Sequence, residues 1–339
     1  MTTALANVTA FVLLLTITAY SVAGGVDYGV GIWDLLAGRG PQAVRARSLI
    51  DHAMAPVWEA NNVWLVLAIV VCWTGFPLLF QSVFASLYPL FAVALLALIL
   101  RGAFFAFRHV QSGPQAQRRT GVVFGISSVL APFFFAAALG AIASGRVALG
   151  EPNISVWQAC VNPTSISFGL VSLSATAFIG ACFLVGDARR FGMPDMVDYF
   201  RRRAVIATVV LIVIGTIAIV VLGLENRRLF DAMFTGLGTP FAAATVILTP
   251  VVGFLMWRGI FRWYRLLSVA VVGSLVFAWG FGQAPYLLPG QLTIAQSAAP
   301  LGTEVLLSIV TLAVVVLVLP SLALLVYLDQ RGALESPEA

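Results

Sequence analysis

Long apolar stretches, separated by short polar ones, run the length of this chain. A membrane-spanning helix needs about 20 consecutive, mostly apolar residues. By that measure the pattern predicts nine spanning helices, near residues 6–36, 53–75, 80–107, 121–143, 163–185, 204–223, 239–256, 264–281 and 301–327. We therefore expect an all-α, multi-pass membrane protein.

The connections between the predicted spans are too short to hold a separate soluble domain. The longest, around residues 144–162 and 282–300, have about twenty residues each, whereas a domain usually needs about 50. A single integral membrane domain over residues 1–339 is expected. The stretch from Gly282 to Gly290 combines two prolines with two glycines and no charge, which predicts an ordered, non-helical cap outside the membrane.

The composition excludes an ordinary soluble globule. Hydrophobic residues make up 60% of the chain and charged residues 10%, and the mean hydropathy is +1.00. Soluble domains have about a quarter of their residues charged. The first apolar stretch has no Lys or Arg before it and is longer than the apolar core of a signal peptide, so we expect it to be a retained span.

Arginine supplies the basic charge, because the 19 basic residues are all Arg. Sixteen of them lie in or beside the connections after the odd-numbered spans, and the opposite connections hold only Arg146, Arg227 and Arg228. Basic residues concentrate on the cytoplasmic side of membrane proteins. This predicts an external amino terminus and a cytoplasmic carboxyl terminus. The net charge of +5 then reflects topology, and no nucleic acid is expected as a partner.

Two acidic residues lie inside predicted spans, where a charge is costly and usually functional. Asp27 follows a pair of glycines in the first span, and Glu59 precedes the amides of Asn61 and Asn62 in the second. The predicted orientation places both acids in the inner half of the membrane, at similar depth. These residues are the first candidates for a functional site.

Asp27 shares one helix face with Gly31 and Asp34, so these positions form a stripe from the buried acid toward the cytoplasm. Small residues in such a stripe let a neighbouring helix approach closely. Arg101, near the cytoplasmic end of the third span, is expected to reach the same layer. A group of acids, arginine and amides can pass protons. Alternatively, Asp27, Glu59 and Arg101 form an ion-pair cluster that only fixes helix packing.

The aromatic and metal-ligating residues near these acids are less informative. Trp58 and Trp64 flank Glu59, and tryptophans in such positions are more often interfacial anchors or packing residues than ligand contacts. His52 and His109 lie among arginines at the predicted cytoplasmic margin. Neither has neighbours at metal-ligand spacing, so the sequence predicts no metal or haem held by this chain alone.

Several sequence elements, in order, resemble subunit II of cytochrome bd-type quinol oxidases. The most specific is Trp-Glu-Ala-Asn, which follows a glycine-rich element containing an Asp. The anchors are GVDYGVG at 25–31, PVWEANNVW at 56–64, the stretch from Arg101 to Arg108, and PYLLP at 285–289. Together with the length and the predicted spans, the resemblance covers essentially the whole chain.

The resemblance implies a heterodimer in the bacterial cytoplasmic membrane. Its subunit I would carry two b-type haems, one d-type haem and the quinol site, while this chain has a fold of two four-helix bundles plus one peripheral helix. Membrane quinol and dioxygen would be the substrates of the complex. A structural quinone or lipid in this chain, and a small accessory subunit, are left open.

The resemblance also implies roles for individual residues. Glu59 would relay protons from the cytoplasm toward the haems along the subunit interface, and the region of Trp64, with Trp58 nearby, would line a dioxygen route or pack beside it. The candidate proton path, with Arg101 as charge partner, then comprises Glu59, Asp27, Asp34, Asn61 and Asn62.

Two positions depart from the family pattern, and they keep rival hypotheses open. Family members commonly have an acid at the position of Ala106, and some have His at the position of Asn62, so the predicted cluster loses titratable groups. One rival is a proton-coupled secondary transporter that uses Asp27 and Glu59. These acids lie nearer the inner face than the midplane, which argues against it. A second rival is a divergent paralogue that has lost proton conduction.

Overall fold

The computed structural model describes residues 2–54, 58–108, 114–149, 155–318, 320–321 and 324. Helices dominate this part of the chain, and a small two-stranded sheet interrupts them near the carboxyl end. The helices are α1 (Thr2–Leu36), α2 (Pro41–Met54), α3 (Trp58–Gly75), α4 (Pro77–Arg108), α5 (Pro114–Ala143), α6 (Val156–Cys160), α7 (Pro163–Arg190), α8 (Pro194–Glu225), α9 (Arg227–Thr235), α10 (Thr239–Arg258), α11 (Tyr264–Gln283), α12 (Ile294–Ser297) and α13 (Leu301–Ala313), which continues as a π-helical turn over Val314–Val318.

Seven helices in the described ranges are long and apolar enough to cross a membrane: α1, α4, α5, α7, α8, α10 and α11. Two shorter apolar helices, Asn61–Gly75 within α3 and Leu301–Ala313, coincide with the remaining two predicted spans. The all-α, membrane-spanning class is therefore confirmed. The count of nine crossings, the sidedness and the division into two four-helix bundles stay predictions.

The predicted start of the second span, at residue 53, is wrong. Residues 53 and 54 belong to α2, a separate helix, and α3 begins at Trp58. The α2 helix ends at Met54, two residues before Pro56. A proline lacks the backbone N–H needed to continue a helix and restricts the residue before it. Periodicity alone merged the apolar end of α2 with the helix that follows.

Polar contacts show which interhelical connections lie at the same end of the molecule. At one end Arg45 of α2 pairs with Asp195 of α8 at 2.7 Å, and Arg189 in the last turn of α7 donates to the carbonyl of Phe261 after α10. At the other end Arg146 pairs with Glu225 at 2.7 Å. This is the grouping that the arginine distribution predicts.

The α1 helix lies at the centre and packs against α3, α5, α7 and α11. Its glycine face makes this possible. A Cβ atom added to Gly29 would lie 2.2 Å from the carbonyl oxygen of Thr176 and 2.8 Å from the Cα of Gly180, so α1 and α7 touch backbone to backbone. Small residues permit this approach, although Gly29 lies outside the predicted stripe of Asp27, Gly31 and Asp34.

A β-hairpin covers the end of the molecule that carries Arg146 and Glu225. Its antiparallel strands are β1 (Tyr286–Leu288) and β2 (Leu292–Thr293). The turn contains Gly290 at φ 72°, a left-handed conformation that glycine adopts without a Cβ clash. Residues 284–290 are therefore non-helical as predicted, whereas Gly282 and Gln283 still belong to α11. The location of this segment outside the membrane stays a prediction.

Candidate functional site

A buried acid–arginine pair forms the centre of the candidate site. Arg101 of α4 donates from Nη1 to Oδ2 of Asp27 (2.8 Å) and from Nη2 to Oδ1 (2.7 Å). Nη2 also donates to the backbone carbonyl of Asp27 at 3.1 Å. The Arg101 side chain is 1% exposed and that of Asp27 7%. The predicted contact between the first and third spans is thus present, in the two-pronged geometry that arginine and carboxylate favour.

The remaining nitrogen of the guanidinium is also bonded. Nε of Arg101 donates to Oγ of Ser128 at 3.0 Å, and Ser128 in turn donates to the carbonyl of Phe124 in its own helix, α5. The guanidinium carbon lies 4.9 Å from the ring centre of Tyr28 and 4.8 Å from that of Phe124. Aromatic faces attract a cation at such distances, so α1, α4 and α5 all hold this one side chain.

The glycine at position 31 sets the distance between α1 and α5. A Cβ added to Gly31 would lie 2.1 Å from Oγ of Ser128, the same oxygen that accepts from Arg101. The absence of a side chain at this position therefore lets Ser128 reach the ion pair. The predicted stripe of Asp27, Gly31 and Asp34 is accordingly a packed helix face with charge at both ends.

Asp34 lies nearer than Asp27 to the carboxyl end of α1 and to solvent. Seven residues separate them, which is about 10 Å along a helix. Its buried carboxylate accepts from Nε of Arg47 at 3.0 Å, and the Arg47 side chain is 36% exposed. Arg47 also donates to the backbone carbonyls of Asp34 and Gly38. A half-exposed arginine thus covers the second acid, where the first span meets the short helix α2.

The amide-bearing start of α3 lies at similar depth to Asp27. A Cβ on Gly75 would touch the side chain of Thr9, so the end of α3 lies beside the beginning of α1. At 1.5 Å per residue, Glu59 lies about 24 Å along α3 from Gly75, and Asp27 lies about 27 Å along α1 from Thr9. The backbone of Glu59 belongs to α3, and its side chain lies outside the described residues.

Asn61 is buried, and its Nδ2 finds no hydrogen-bond partner among the described residues. A buried amide nitrogen without an acceptor is costly, and it is available to a group from outside the described chain. Asn62 and Trp64 are half-buried. The side chain of Trp58 lies outside the described residues, as does His109.

Ala106 occupies an exposed position on α4, five residues from the fully buried Arg101. The loss of a carboxylate from the inner cluster at this position stays a prediction.

A large apolar cavity of about 680 Å³ lies beside α1. Its wall includes Tyr20 and Tyr28, whose hydroxyl groups are hydrogen-bonded at 2.6 Å. Because the Tyr28 ring also contacts Arg101, the cavity wall and the ion pair share one side chain. Leu65 and Cys72 of α3 also line the cavity.

Two polar atoms in the cavity wall lack partners among the described residues. They are Nε1 of Trp279 and Oε1 of Gln283, both on α11. One is a donor and the other an acceptor. The cavity thus combines an apolar lining with one donor and one acceptor that have no partner among the described residues.

Metal-ligating residues do not cluster in the described ranges, where no group of three or more His, Cys, Asp or Glu could hold a metal ion. His52 is exposed and bonds to the carbonyl of Ser48 in its own helix at 2.7 Å.

Sequence reasoning missed several partners that the structure brings to the site. Ser128 was signalled only by the Ser127–Ser128 pair inside an apolar span. The Tyr20–Tyr28 hydroxyl pair was signalled by two tyrosines on either side of Asp27. Which of these polar residues reach the acid depends on the rotation of α5 and the position of α1, and neither can be derived from the pattern of apolar residues.

Comparison with known proteins gives a consistent result. The family model described as cytochrome bd terminal oxidase subunit II matches residues 5–328. A Bacillus subtilis protein, provisionally named cytochrome bd menaquinol oxidase subunit II, is 21% identical over 284 residues, 81% of each chain. Cytochrome bd-I ubiquinol oxidase subunit 2 of Escherichia coli K12 is 23% identical over 170 residues, which are 49% of this chain and 44% of that protein.

A solved structure shows the same fold. A chain of the bd oxidase from Geobacillus thermodenitrificans superimposes with a TM-score of 0.75 at 21% identity, over 96% of this chain and 98% of that chain. The family model spans nearly all of the sequence, including the buried pair and the hairpin. The chain therefore belongs to the cytochrome bd terminal oxidase subunit II family.

Proposed function

We propose that this chain is the non-haem subunit of a quinol:dioxygen oxidoreductase in the bacterial cytoplasmic membrane. A haem-bearing subunit I would bind it and host the oxidation of quinol and the reduction of dioxygen to water, with two b-type haems and one d-type haem. In this proposal the chain is one membrane domain that supports the reaction without carrying it out. Family membership supports the proposal.

The main structural support for the proposal is the buried Asp27–Arg101 pair. Asp34 lies on the same face of α1, nearer the carboxyl end of the helix. Reduction of dioxygen to water consumes protons, and buried acids in spanning helices commonly mark proton routes. Asp34, covered by the half-exposed Arg47, would receive protons at the end of the helix. Asp27 would be a fixed charge about 10 Å deeper.

Glu59 and the amides of α3 complete the proposed route. The backbone of Glu59 lies at nearly the depth of Asp27, and the buried Asn61 offers a free Nδ2 that can hold a water molecule. Asn62 lies one position further on the same helix. We assign Glu59 the relay of protons toward the partner, with Asn61 and Asn62 orienting the waters that such a relay needs.

The cavity suits an apolar occupant. Its wall is almost entirely aliphatic and aromatic, while Trp279 and Gln283 provide one donor and one acceptor. A structural quinone or a lipid tail would satisfy both. Trp64, next to Leu65 of the cavity wall, would flank the dioxygen route, since an apolar path favours an apolar gas; together with Trp58 it would otherwise serve packing.

The test of the proton relay is the Glu59→Gln variant of the purified complex. The variant keeps the size of the side chain but cannot release a proton. We expect oxygen consumption to fall about a hundredfold, the lower range of what a positioned proton-transfer group contributes, while the haem spectrum and the subunit ratio stay unchanged. The matched control is Glu225→Gln, at the opposite end of the molecule and paired with Arg146.

Three outcomes distinguish the alternatives. Slow oxygen consumption with intact haems supports the relay. Loss of haem or of the complex would assign Glu59 a structural role instead. Full activity in an intact complex would contradict both roles, and it would favour a paralogue in which this route does not conduct.

A further inference from the structure

The connection between α10 and α11 presents an unusual combination of charge and exposed aromatic surface. Trp257 and Trp263 are 62% and 61% exposed. The guanidinium of Arg258 lies 5.1 Å from the ring centre of Trp257, and that of Arg262 lies 5.7 Å from the ring centre of Trp263. We call these four residues the α10–α11 patch.

The two arginines of the patch have their hydrogen-bonding edges free. Neither forms an ion pair or hydrogen bond with any residue that the structure describes. No acidic residue occurs between Asp231 and Glu304 in the sequence. Two acids on the neighbouring helices α7 and α8 are already paired, Asp187 with Arg265 and Asp198 with Arg201.

Two neighbouring arginines are engaged in contacts that fix the turn between α10 and α11. Arg201 of α8 donates to the carbonyl of Trp257 at 3.3 Å, and Arg189 stacks on Phe261 at 4.5 Å while donating to its carbonyl. The α10–α11 patch is therefore held on a fixed turn, with two arginines that no described residue neutralises.

The backbone of Trp263 gives a second, independent observation. Its φ is 64°, a left-handed conformation that a bulky residue rarely adopts. Glycine would fit there without strain, yet the position carries an indole that is largely exposed. Strain of this kind persists where the side chain has a role in binding, and the described residues leave most of this indole uncovered.

We propose that the α10–α11 patch binds the headgroup of an anionic phospholipid from the predicted cytoplasmic leaflet. The end of the apolar helix α10 places it at the boundary between hydrocarbon and water. Guanidinium groups bind phosphate through paired N–H donors, and tryptophan favours the headgroup region. Arg258 and Arg262 would hold the phosphate, with Trp257 and Trp263 inserted on either side.

The experiment uses the purified complex in mild detergent, supplemented with phosphatidylglycerol or with phosphatidylcholine. Retained lipid is counted by native mass spectrometry, and the shift in melting temperature is measured for each lipid. In the double variant Arg258→Gln, Arg262→Gln, the preference for phosphatidylglycerol over phosphatidylcholine should fall about 30-fold. Each arginine at an anionic surface contributes about fivefold. Arg45→Gln is the matched control, an exposed arginine at the same end that is neutralised by Asp195.

Two further variants separate binding from folding. The double variant Arg258→Lys, Arg262→Lys keeps the charge but loses the paired N–H donors, so it should keep only part of the preference. Trp263→Gly lets the backbone keep this conformation without strain. The variant should therefore have a higher melting temperature without lipid, and phosphatidylglycerol should raise that temperature by less. A folding defect would move both quantities in the same direction.

An unchanged lipid preference in the Gln double variant would overturn the proposal. Inorganic phosphate alone is the remaining arm of the experiment. If it raises the melting temperature as much as phosphatidylglycerol does, the site binds a free anion and the lipid assignment is wrong.

Discussion

Arg101 shows at the scale of single residues how a charge is made tolerable inside this protein. All three guanidinium nitrogens have acceptors, two aromatic faces lie against the group, and the carboxylate of Asp27 neutralises it. A buried charge is costly unless it is paired and hydrogen-bonded. The side chain of Arg101 is consequently a junction between three helices rather than an isolated charge.

Replacement of one member of the pair should be more harmful than replacement of both. Asp27→Asn or Arg101→Gln leaves the other charge buried without compensation, which costs about 3–5 kcal/mol of the free energy of unfolding. The double variant removes both charges and should recover part of that loss. The melting temperatures of the four purified forms give the coupling. Additive effects of the two single variants would contradict this account of the pair.

At the scale of secondary-structure elements, glycines decide how closely the helices approach. Gly29 of α1 faces Gly180 of α7 so closely that either added Cβ would meet backbone atoms within 2.8 Å. Backbone cannot move aside as a flexible side chain can. The contact between these two helices therefore depends on the absence of side chains at both positions.

Gly29→Ala should destabilise the protein by about 1–3 kcal/mol or more, as overpacking of a tight contact does. Gly215→Ala is the control, because it is a glycine within the apolar helix α8 whose added Cβ would meet nothing within 4 Å. That variant should be neutral or more stable by up to about 1 kcal/mol, from helix propensity. Thermal unfolding in detergent measures both. Equal stability of the two variants would mean that α1 and α7 are not in backbone contact.

Much of this element-level structure could be predicted from the sequence. Helical spacing alone places Asp27, Gly31 and Asp34 on one face, and the sequence indicates that Arg101 lies in the same layer. The role of Ser128 could not be predicted, because it depends on how α5 is rotated against α1. The separate helix α2 was also missed, since an apolar pattern does not show where one helix ends and the next begins.

At the scale of the whole molecule, charge distribution and contacts give one consistent arrangement. The arginine-rich connections lie together at one end, and the hairpin with Arg146 and Glu225 at the other. The buried pair, Asp34 and the start of α3 lie toward the arginine-rich end. In the proposed function this arrangement leads protons part of the way into the membrane. The described residues contain no group of three or more His, Cys, Asp or Glu that could hold a metal ion. The proposed function includes a haem-bearing partner subunit.

The presence of that partner is the most direct test of the central claim. The tagged chain is purified from native membranes in mild detergent, co-purifying subunits are identified, and a reduced-minus-oxidised visible spectrum is recorded. We expect a stoichiometric haem-bearing subunit and a far-red band of d-type haem. A colourless chain without a haem-bearing partner, from membranes in which the complex is expressed, would contradict it.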